Sequence, residues 1–400
     1  MLPLEGIRVL DLTRLLPGEY CSLMLADFGA DVIKVEDTGK GDYARWTHPM
    51  ICDTMIDETI SAYFMVLNRN KKSMKINLKA PQGKGIFLKL AKGSDVVLES
   101  FRPGVMDRLG VGYKALQQIN PGIIYCALSG YGQDGPYKDL PGHDINYLAI
   151  AGVLGMQGLP GGPPVLSGVQ MADICGGGQN SFAGILLALL AREKTGKGQL
   201  VDISMLDGAV SLLGQHAGNF FGNGVEPERG QMNLNGGYAC FNVYRAGDGK
   251  YLVLAALEEK FWAEYCRAVG RDSLIDEQYA DLKRQKEIAA ELQTIFDQKP
   301  CDEWIEYFNK FDTCVTAVNQ LEDAFCDPQV LHREMVQSLT YHTTNGEKTI
   351  KQLGIPIKLS ETPGSLRFGP PRFGQHTDEI LAGLEYSGKD IDILHQKGVC

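Results

Sequence analysis

Motifs that would identify several common enzyme classes are missing from this 400-residue sequence. It contains no G-x-S-x-G nucleophile elbow, no H-E-x-x-H pair and no G-x-x-x-x-G-K-[ST] phosphate loop. These are local signatures of α/β-hydrolases, zinc metalloproteases and P-loop nucleotide hydrolases. Its ten cysteines include no C-x-x-C pair, and its seven histidines are far apart. The sequence therefore predicts reduced thiols and no metal site.

Long apolar runs and an excess of positive charge are also absent. The longest apolar run, 182–191, is much shorter than the roughly 20 residues that cross a bilayer, so no membrane-spanning segment is expected. The first residues lack the basic region and cleavage site of a signal peptide, and we expect a cytoplasmic protein. A net charge of −10 makes nucleic acid and anionic membranes poor partners. A polyanionic ligand would therefore need a local basic patch.

The first half of the sequence alternates strand-like with helix-like segments. The composition, 44% apolar and 22% charged, is that of an ordinary globular protein. A helix is expected to begin at Pro17 and to end before Gly29. The strand-like segments are 7–12, 31–36, 73–78, 95–100, 122–128 and 199–206. This alternation predicts an α/β fold with a parallel sheet and crossover helices.

A dinucleotide-binding domain is the obvious alternative for the first strand, helix and second strand, which ends at Glu36. The turn after the first strand, however, contains no G-x-G-x-x-G. Those glycines let the backbone approach a pyrophosphate, so an NAD-dependent enzyme is disfavoured.

A change of domain is predicted where Gly, Asn and charged residues accumulate, at 220–236. Two strand-like runs then follow, joined by the hairpin signal Gly-Asp-Gly at 247–249, and helical stretches come after them. The tail contains a further strand-like piece, 354–359, and a helix near the end. We predict a large α/β domain that begins with residues 1–225, a small domain over 226–330, and a return to the large domain over 331–400.

Two candidate catalytic side chains precede apolar segments. His143 stands before Asp144, and histidine can act as a general acid or base near neutral pH. The alternative is that Asp144 caps a helix beside an incidental histidine. Asp173 lies just before three successive glycines. An N-cap would explain Asp173 alone, whereas the glycines, which are costly in conformational entropy, suggest the close approach of a ligand.

Two further features are compatible with a functional or a purely structural role. Glu258 ends a strand-like run and begins a helix, where a first-turn glutamate also suits the helix dipole. A group of basic side chains could hold the phosphates of a nucleotide-like ligand, and a solvated loop rim is the alternative. The basic residues are Arg69, Lys71, Lys72, Lys75, Arg102 and Arg108.

Taken together, these segments resemble the family III CoA-transferases, the CaiB/BaiF group, which also contains the α-methylacyl-CoA racemases. The resemblance covers nearly the whole chain. It rests on PLEGIRVLDLTRLLPG, LADFGADVIKVE, GDYARW, LNRNKKSMKINLK, FRPGVMDRLG, SGYGQDGPYKDLPGHDINY and GPPRFGQHTDEIL, in that order. It implies a large Rossmann-like parallel-sheet domain, a smaller α+β domain, and two chains threaded through each other as an interlocked homodimer.

The resemblance also implies a mechanism. In the transferases an aspartate attacks the acyl-CoA thioester, and Asp173 matches it. The racemases add a histidine and a glutamate, here His143 and Glu258. The GHD histidine favours a racemase, which transfers a proton at the α-carbon of a 2-methylacyl-CoA. His143 with Glu258 would serve one face and Asp173 the other, while N–H donors near the glycine-rich turn stabilise the enolate oxygen.

Coenzyme A is expected only as part of the substrate, with no permanently bound cofactor. By resemblance, the residues that bind CoA are Leu16, Asn68, Phe101, Arg102, Arg108, Asp144 and Tyr147, with the two arginines facing its phosphates. Leu16, Met156 and Met171 are expected near an apolar pocket. Two positions depart from the family pattern: Asp37 stands where some members carry an arginine for the adenine end of CoA, and Leu16 where some transferases carry a functional glutamine.

Two other functions stay open. A family III CoA-transferase would move CoA to a free carboxylic acid through an acyl intermediate on Asp173. A non-catalytic acyl-CoA-binding subunit is disfavoured because Asp173 is present. The acyl group itself stays open among bile-acid, branched-chain, aromatic and dicarboxylic esters.

Overall fold

The computed structural model describes residues 1–53, 58–343 and 346–400. They form two compact units. Unit 1 consists of Met1–Ala151, Gly168–Leu212 and Pro328–Cys400, and unit 2 consists of Gly152–Ser167 and Leu213–Asp327. The long excursion into unit 2 therefore begins 13 residues before the predicted boundary at 226. A shorter segment of unit 2, residues 152–167, precedes this excursion, and no feature of the sequence predicted it.

The strands and helices follow the chain in this order. The strands are β1 (Arg8–Asp11), β2 (Asp31–Glu36), β3 (Met50–Asp53), β4 (Glu58–Ser61), β5 (Lys71–Lys75), β6 (Val96–Glu99), β7 (Ile124–Ser129), β8 (Leu200–Ser204), β9 (Phe241–Arg245), β10 (Tyr251–Ala255), β11 (Val315–Ala317), β12 (Val336–Thr343) and β13 (Gly346–Leu353). The α-helices are α1 (Leu16–Asp27), α2 (Ala62–Leu67), α3 (Pro81–Lys92), α4 (Val105–Leu109), α5 (Tyr113–Ile119), α6 (Asp144–Ile150), α7 (Val153–Met156), α8 (Asn180–Thr195), α9 (Met205–Ser211), α10 (Gly214–Asn223), α11 (Glu259–Ala268), α12 (Leu282–Phe296), α13 (Cys301–Phe308), α14 (Leu321–Cys326), α15 (Pro328–His332), α16 (Thr377–Gly383) and α17 (Gly388–Gln396). A π-helix, Ala172–Gln179, runs into α8, and short 3₁₀ helices occupy Tyr43–Trp46 and Asp272–Glu277.

Unit 1 is built on a six-stranded sheet in the order β5-β2-β1-β6-β7-β8. All of its strand pairs are parallel. The predicted α/β fold with a parallel sheet is therefore confirmed. From β1 the chain builds the sheet outward through β2 to β5, and it then restarts on the other side of β1 with β6. The order thus reverses between β1 and β6, and open α/β sheets bind ligands outside the carboxyl ends of strands at such a point.

Adjacent side chains of each strand point to opposite faces of the sheet. Both faces are apolar here, and helices cover each of them. Leu10 of β1 packs in a core with Phe87 of α3 and Leu381 of α16. Its neighbour Val9 packs on the other face, with Leu25 of α1 and the apolar side of α8. Strands that are apolar on both faces are typical of a buried parallel sheet.

Unit 2 combines helices with an antiparallel three-stranded sheet in the order β11-β10-β9. The predicted hairpin pairs Tyr251 with Arg245, and Gly249 takes a positive φ of 84° in its turn. Its core is largely aromatic, with Trp262, Tyr265, Phe296, Trp304 and Phe308 in one cluster. Two further antiparallel strand pairs, β3–β4 and β12–β13, are present among the described residues. The strand predicted at 354–359 is wrong, because this stretch is irregular after β13.

One helical stretch, Ala172–Thr195, is long and apolar enough to cross a membrane by length and composition. The sequence analysis considered only the apolar run 182–191, which is too short to span a bilayer. The helical stretch is longer because it also contains the small residues of the π-helix that precedes this run. One side of the stretch is buried in unit 1, where Ile185, Ala188 and Leu189 belong to the core beneath the sheet. The core helix of a folded unit passes the same test.

Candidate active site

Asp173 and Asp144 are tied together in unit 1. Asp144 is the first residue of α6, and its Oδ1 accepts hydrogen bonds from the backbone N–H of Ala172 at 2.7 Å and of Asp173 at 3.1 Å. The buried Asp144 carboxylate therefore caps the π-helix and not its own helix. Asp173 lies in the first turn of that π-helix, whose N-cap is Met171, so the N-cap explanation of Asp173 is wrong.

His143 directly precedes Asp144 and is the N-cap of α6. Its backbone N–H donates to Asn146 Oδ1 at 3.0 Å, while its side chain is exposed. Asp144 follows His143 in the chain and bonds the backbone of Asp173, so the segments that carry these two predicted catalytic residues are joined through Asp144. A histidine and a carboxyl group can each give or take a proton.

The carboxyl group of Asp173 is much less acidic than an ordinary aspartate. Burial, and after it the negative charge of Asp144, raises the pKa of Asp173 to about 7. Both effects disfavour the ionised form. A carboxyl group with this pKa exchanges protons readily at neutral pH, which suits a general acid or base.

Two tyrosines share the environment of Asp173. Burial, and then the charge of Asp173, raises the pKa of Tyr147. Burial followed by the charges of Glu19 and Asp173 raises the pKa of Tyr63. Both phenols therefore remain protonated, and each can donate a hydrogen bond. A Cβ atom at Gly130 would lie 2.6 Å from the Tyr147 ring, so this glycine gives the ring its space.

The three glycines after Asp173 are explained by helix packing. A Cβ atom at Gly176 would lie 2.8 Å from the carbonyl oxygen of Met205 in α9, and one at Gly178 would lie 2.9 Å from that of Pro17 in α1. The inference that a ligand approaches these glycines is therefore wrong. They lie within a continuous helix, where N–H groups bond to the preceding turn, and so do not supply the expected oxyanion donors.

Glu258, the third predicted catalytic residue, belongs to unit 2. It is the exposed N-cap of α11, and its backbone carbonyl accepts from the N–H groups of Phe261 at 3.0 Å and Trp262 at 3.1 Å. Its carboxylate makes no capping hydrogen bond. Met156 is also part of unit 2, whereas Leu16 and Met171 are half-buried in unit 1.

A cleft of about 530 Å³ opens at the carboxyl ends of β1, β2, β5 and β6, and it includes the point between β1 and β6 where the strand order reverses. Of the predicted CoA contacts it contains Phe101, which follows β6. Arg14, Asp37 and Lys79 also line it. Such a position is the usual ligand site of open α/β sheets.

The other predicted CoA contacts divide into exposed and buried residues. Arg102 and Arg108 are exposed on the segment after β6, where a phosphate could reach them. Asn68 is completely buried: its Nδ2 donates to Glu19 Oε1 at 2.8 Å and to the Phe64 carbonyl at 3.0 Å. The amide of Asn68 is thus used inside the protein, and its assignment to CoA stays a prediction. Asp144 is likewise occupied by the backbone that it caps.

The basic cluster of residues 69–75 does not form a phosphate cradle. Arg69 is buried and donates to both carboxylate oxygens of Asp27, at 2.9 and 2.6 Å. Lys72 lies 3.2 Å from the carboxylate of Asp31. The prediction failed because a sequence does not reveal which cations a fold buries and neutralises.

A buried charge network lies between α1, β2 and α2, and sequence analysis missed it. The ammonium group of Lys34 lies 2.6 Å from Asp42 Oδ2 and 3.4 Å from Glu19 Oε1. The ammonium group of Lys71 donates to the Glu19 carbonyl at 3.0 Å and to Asn68 Oδ1 at 2.9 Å. The available signal was a lysine in the middle of an apolar strand, which a fold tolerates only with buried partners.

Burial sets the ionisation of this network. It raises the pKa of Glu19 to about 8 and lowers that of Lys71 to about 8, because it penalises the charged form of each group. Burial also opposes the charge of Lys34, but the nearby carboxylates outweigh it and raise the Lys34 pKa. The pKa of Glu19 therefore lies above neutral pH, and its buried Oε2 atom has no hydrogen-bond partner among the described residues.

Comparison with known proteins agrees with this architecture. The family model described as CoA-transferase family III matches residues 4–377. An acyl-CoA transferase of Fusarium pseudograminearum is 37% identical over 404 aligned positions, which cover 99% of this chain and 88% of the relative. Human alpha-methylacyl-CoA racemase is 34% identical over 390 positions, covering 97% and 95%. The similarity thus spans both reaction classes of the predicted family.

The fold is also similar to a solved structure. The crystal structure of a CAIB/BAIF family protein from Brucella suis superimposes with a TM-score of 0.83 at 30% sequence identity. The superposition covers 96% of this chain and 99% of that one.

Proposed function

This chain belongs to CoA-transferase family III and is an enzyme of that transferase and racemase superfamily, and from this premise we propose that it is an acyl-CoA epimerase. The reaction would be a 1,1-proton transfer at the α-carbon of a 2-methylacyl-CoA thioester. The thioester makes this proton acidic enough to remove, because the negative charge moves onto the carbonyl oxygen as an enolate.

The link between Asp144 and the backbone of Asp173 is the observation that carries the proposal. It ties the chain segment that carries His143 to the backbone of Asp173, whose pKa is raised to about 7. A transferase nucleophile needs Asp173 alone, whereas an epimerase needs a second proton carrier.

The proposed mechanism uses these groups in turn. In one direction the ionised Asp173 carboxylate removes the α-proton, and the protonated imidazole of His143 returns a proton on the opposite face. In the other direction the roles of the two groups reverse. The phenols of Tyr63 and Tyr147 are available donors close to Asp173 for the enolate oxygen.

A CoA-transferase is the second candidate, favoured by the 37% identity to a relative named acyl-CoA transferase. Here the ionised Asp173 would attack the thioester carbonyl, expel the CoA thiolate and form a mixed anhydride. CoA would then pass to a free carboxylic acid. A pKa of about 7 leaves a large share of Asp173 ionised at neutral pH, so it is compatible with this role too.

Proton exchange at the α-carbon tests the epimerase directly. Purified protein is incubated with a 2-methylacyl-CoA in D2O without free acid, and the α-proton is followed by NMR. We expect exchange in the wild type and its loss in His143→Ala and Asp173→Asn. His332→Ala and Asp139→Asn, which change exposed residues outside the site, are the matched controls and should keep the wild-type rate.

The transferase produces a different pattern. CoA would move to an added carboxylic acid, hydroxylamine would trap an acyl group on Asp173, and His143→Ala would retain transfer. That pattern without α-proton exchange would exclude the epimerase.

Three properties complete the proposal. Coenzyme A would enter only as part of the substrate, with no permanent cofactor. The protein would act in the cytoplasm, and it would form an interlocked homodimer.

A further inference from the structure

A buried carboxyl group that the proposed mechanism does not use lies in α1, the helix that packs against the π-helix of Asp173. The side chain of Glu19 is fully buried, and its Oε2 atom has no hydrogen-bond partner among the described residues. The two helices are so close that a Cβ atom at Gly178 would lie 2.9 Å from the carbonyl oxygen of Pro17. A carboxyl group is costly to bury, so Glu19 is a candidate for a role in the neighbouring site.

Glu19 is hydrogen-bonded to the end of the helix that carries Tyr63. Its Oε1 atom accepts from Nδ2 of Asn68, the C-cap of α2, at 2.8 Å. The same amide nitrogen donates to the carbonyl oxygen of Phe64 at 3.0 Å, and Nζ of Lys71 donates to the amide oxygen at 2.9 Å. Tyr63 belongs to α2, so the position of its phenol depends on the bond between Glu19 and Asn68.

Tyr63 lies within the electrostatic influence of two carboxyl groups. Burial, then the charge of Glu19 and then that of Asp173, raises the pKa of Tyr63. Because the Coulomb interaction falls with distance, the phenol is close enough to respond to both groups. In the proposed reaction this phenol is a hydrogen-bond donor for the oxygen on which negative charge develops. A negative charge on Glu19 would weaken the donor and repel the developing charge.

The charged groups around Glu19 come from three strands and a loop. Nζ of Lys34 in β2 lies 3.4 Å from Glu19 Oε1, and Nζ of Lys71 in β5 donates to the Glu19 carbonyl at 3.0 Å. Asp11 of β1 lies 3.9 Å from the ammonium group of Lys71. Burial, aided by the charge of Asp42 in the loop after β2, outweighs the two lysines and raises the pKa of Glu19 to about 8. Glu19 is therefore expected to gain its charge in the alkaline range.

We propose that Glu19 is a positioning residue that acts on the chemistry of Asp173 through Tyr63. It fixes α2 through the amide of Asn68, and its ionisation controls the phenol in a pH-sensitive way. The inference rests on the proposed reaction at Asp173 and adds to it a residue that does not touch the substrate. It applies to α-proton exchange and to CoA transfer alike, because negative charge develops on the thioester oxygen in both.

The first experiment compares kcat of Glu19→Gln with that of the wild type between pH 6 and 9. Gln keeps an oxygen for the Asn68 amide and stays neutral, so kcat should equal the wild-type value near pH 6 and be about five times as large near pH 9. The ratio cancels the titration of groups that both proteins share. Glu19→Ala loses the acceptor, and its kcat should fall about tenfold at every pH. Glu5→Gln, at an exposed position, should match the wild type throughout.

A double-mutant cycle shows whether Glu19 acts through Tyr63. Tyr63→Phe keeps the ring and removes the donor, so kcat should fall by about tenfold or more. In this background Glu19→Gln should change kcat by less than about twofold at either pH. A purely structural Glu19 would give the same ratio with and without the phenol. Circular dichroism at both pH values shows that folded proteins are compared.

Infrared difference spectra measure the protonation of Glu19 without turnover. The C=O band of a protonated carboxyl group should appear near pH 6 in the wild type minus Glu19→Gln spectrum and disappear near pH 9. A missing band, a kcat ratio that is constant with pH, or a ratio unchanged by Tyr63→Phe would each overturn the inference. Failure of the epimerase is distinct, because it appears as absent α-proton exchange in the wild type, and the Glu19 comparison is then made on CoA transfer.

Discussion

Among single residues, Asp144 controls both the position and the acidity of Asp173. Its carboxylate accepts from the Asp173 N–H, and its charge adds to burial in raising the Asp173 pKa to about 7. In Asp144→Asn the amide oxygen can still accept these hydrogen bonds, but the charge is gone. Asp173 then becomes more acidic. We expect the acidic limb of the kcat/KM profile, measured in the direction that uses Asp173 as base, to move to lower pH.

Asp144→Ala separates position from charge. This variant loses the acceptor for two N–H groups as well as the charge, so kcat should fall at every pH in addition to the shift. Asp139→Asn removes an exposed charge nearby in sequence and serves as the control. An unmoved acidic limb in Asp144→Asn would show that the two carboxyl groups are not coupled.

Glu19 makes stability depend on pH. Its pKa is raised from 4.5 to about 8 in the folded state, because burial favours the neutral acid. Protonated Glu19 makes its full contribution to the free energy of unfolding below about pH 4.5. This contribution decreases progressively as the pH rises to about 8. Glu19→Gln keeps a neutral side chain at every pH. Its free energy of unfolding should therefore exceed that of the wild type at pH 8 by an amount on the order of a few kcal/mol.

Urea unfolding of both proteins between pH 5 and 9 measures this difference. It should grow between pH 5 and 8 and remain constant above. Glu5→Gln, at an exposed position, should show no such pH dependence. A constant difference between Glu19→Gln and wild type would mean that Glu19 is ionised throughout.

Local sequence order determines the position of some candidate residues and not of others, for a physical reason. His143 and Asp173 stand in motifs where local order places them at helix starts. Asn68 and Lys71 stand in an equally clear motif. Their roles, however, are determined by burial and by hydrogen bonds to Glu19, which lies 49 and 52 positions away in the sequence. No local pattern predicts hydrogen-bond partners so far away in the sequence.

At the scale of elements, the glycines of the π-helix and α9 let two helices touch through their backbones. A Cβ atom at Gly208 would lie 2.2 Å from the Cα of Gly176, three residues after Asp173. Gly208→Ala must therefore push the π-helix away from α9. We expect it to lose about 3 kcal/mol of stability and most of its activity. Thermal unfolding together with the exchange assay measures both.

Gly85→Ala is the matched control for this substitution. Gly85 lies in α3, is exposed, and would place its Cβ atom in open space. Alanine favours the helix more than glycine does, so Gly85→Ala should gain about 0.5–1 kcal/mol and keep full activity. Similar stability in the two variants would contradict the packing explanation.

The elements themselves were largely predictable. Alternating apolar strands and amphipathic helices identified the parallel sheet, and the Gly-Asp-Gly turn identified the β9–β10 hairpin. The π-helix was not predictable, because its extra residue per turn is decided by the Asp144 cap and by contacts with α1 and α9. The strand expected at 354–359 failed because short apolar runs do not show whether a pairing partner exists.

At the scale of the whole molecule, each of the two units has its own core. Unit 1 packs aliphatic side chains on both faces of its sheet, and unit 2 has an aromatic core. The chain enters unit 2 twice, and unit 1 is therefore assembled from three segments distant in sequence. Local patterns cannot reveal such a path, which explains why the segment 152–167 was not assigned.

The apolar helix α8 leads to the last prediction. Its inner side is core, yet Leu187 and Leu190 on the outer side are 67% and 59% exposed. Apolar surface of this kind is stabilised by a protein partner or a bilayer. In the proposed homodimer a second copy covers it, so light scattering should give twice the chain mass, and Leu187→Glu should weaken association. Leu321→Glu, at a leucine 75% exposed on α14, should leave the dimer intact. A wild-type protein that is a monomer in light scattering would contradict the dimer. A wild-type protein that can be purified only in detergent would indicate that this face of α8 contacts lipid.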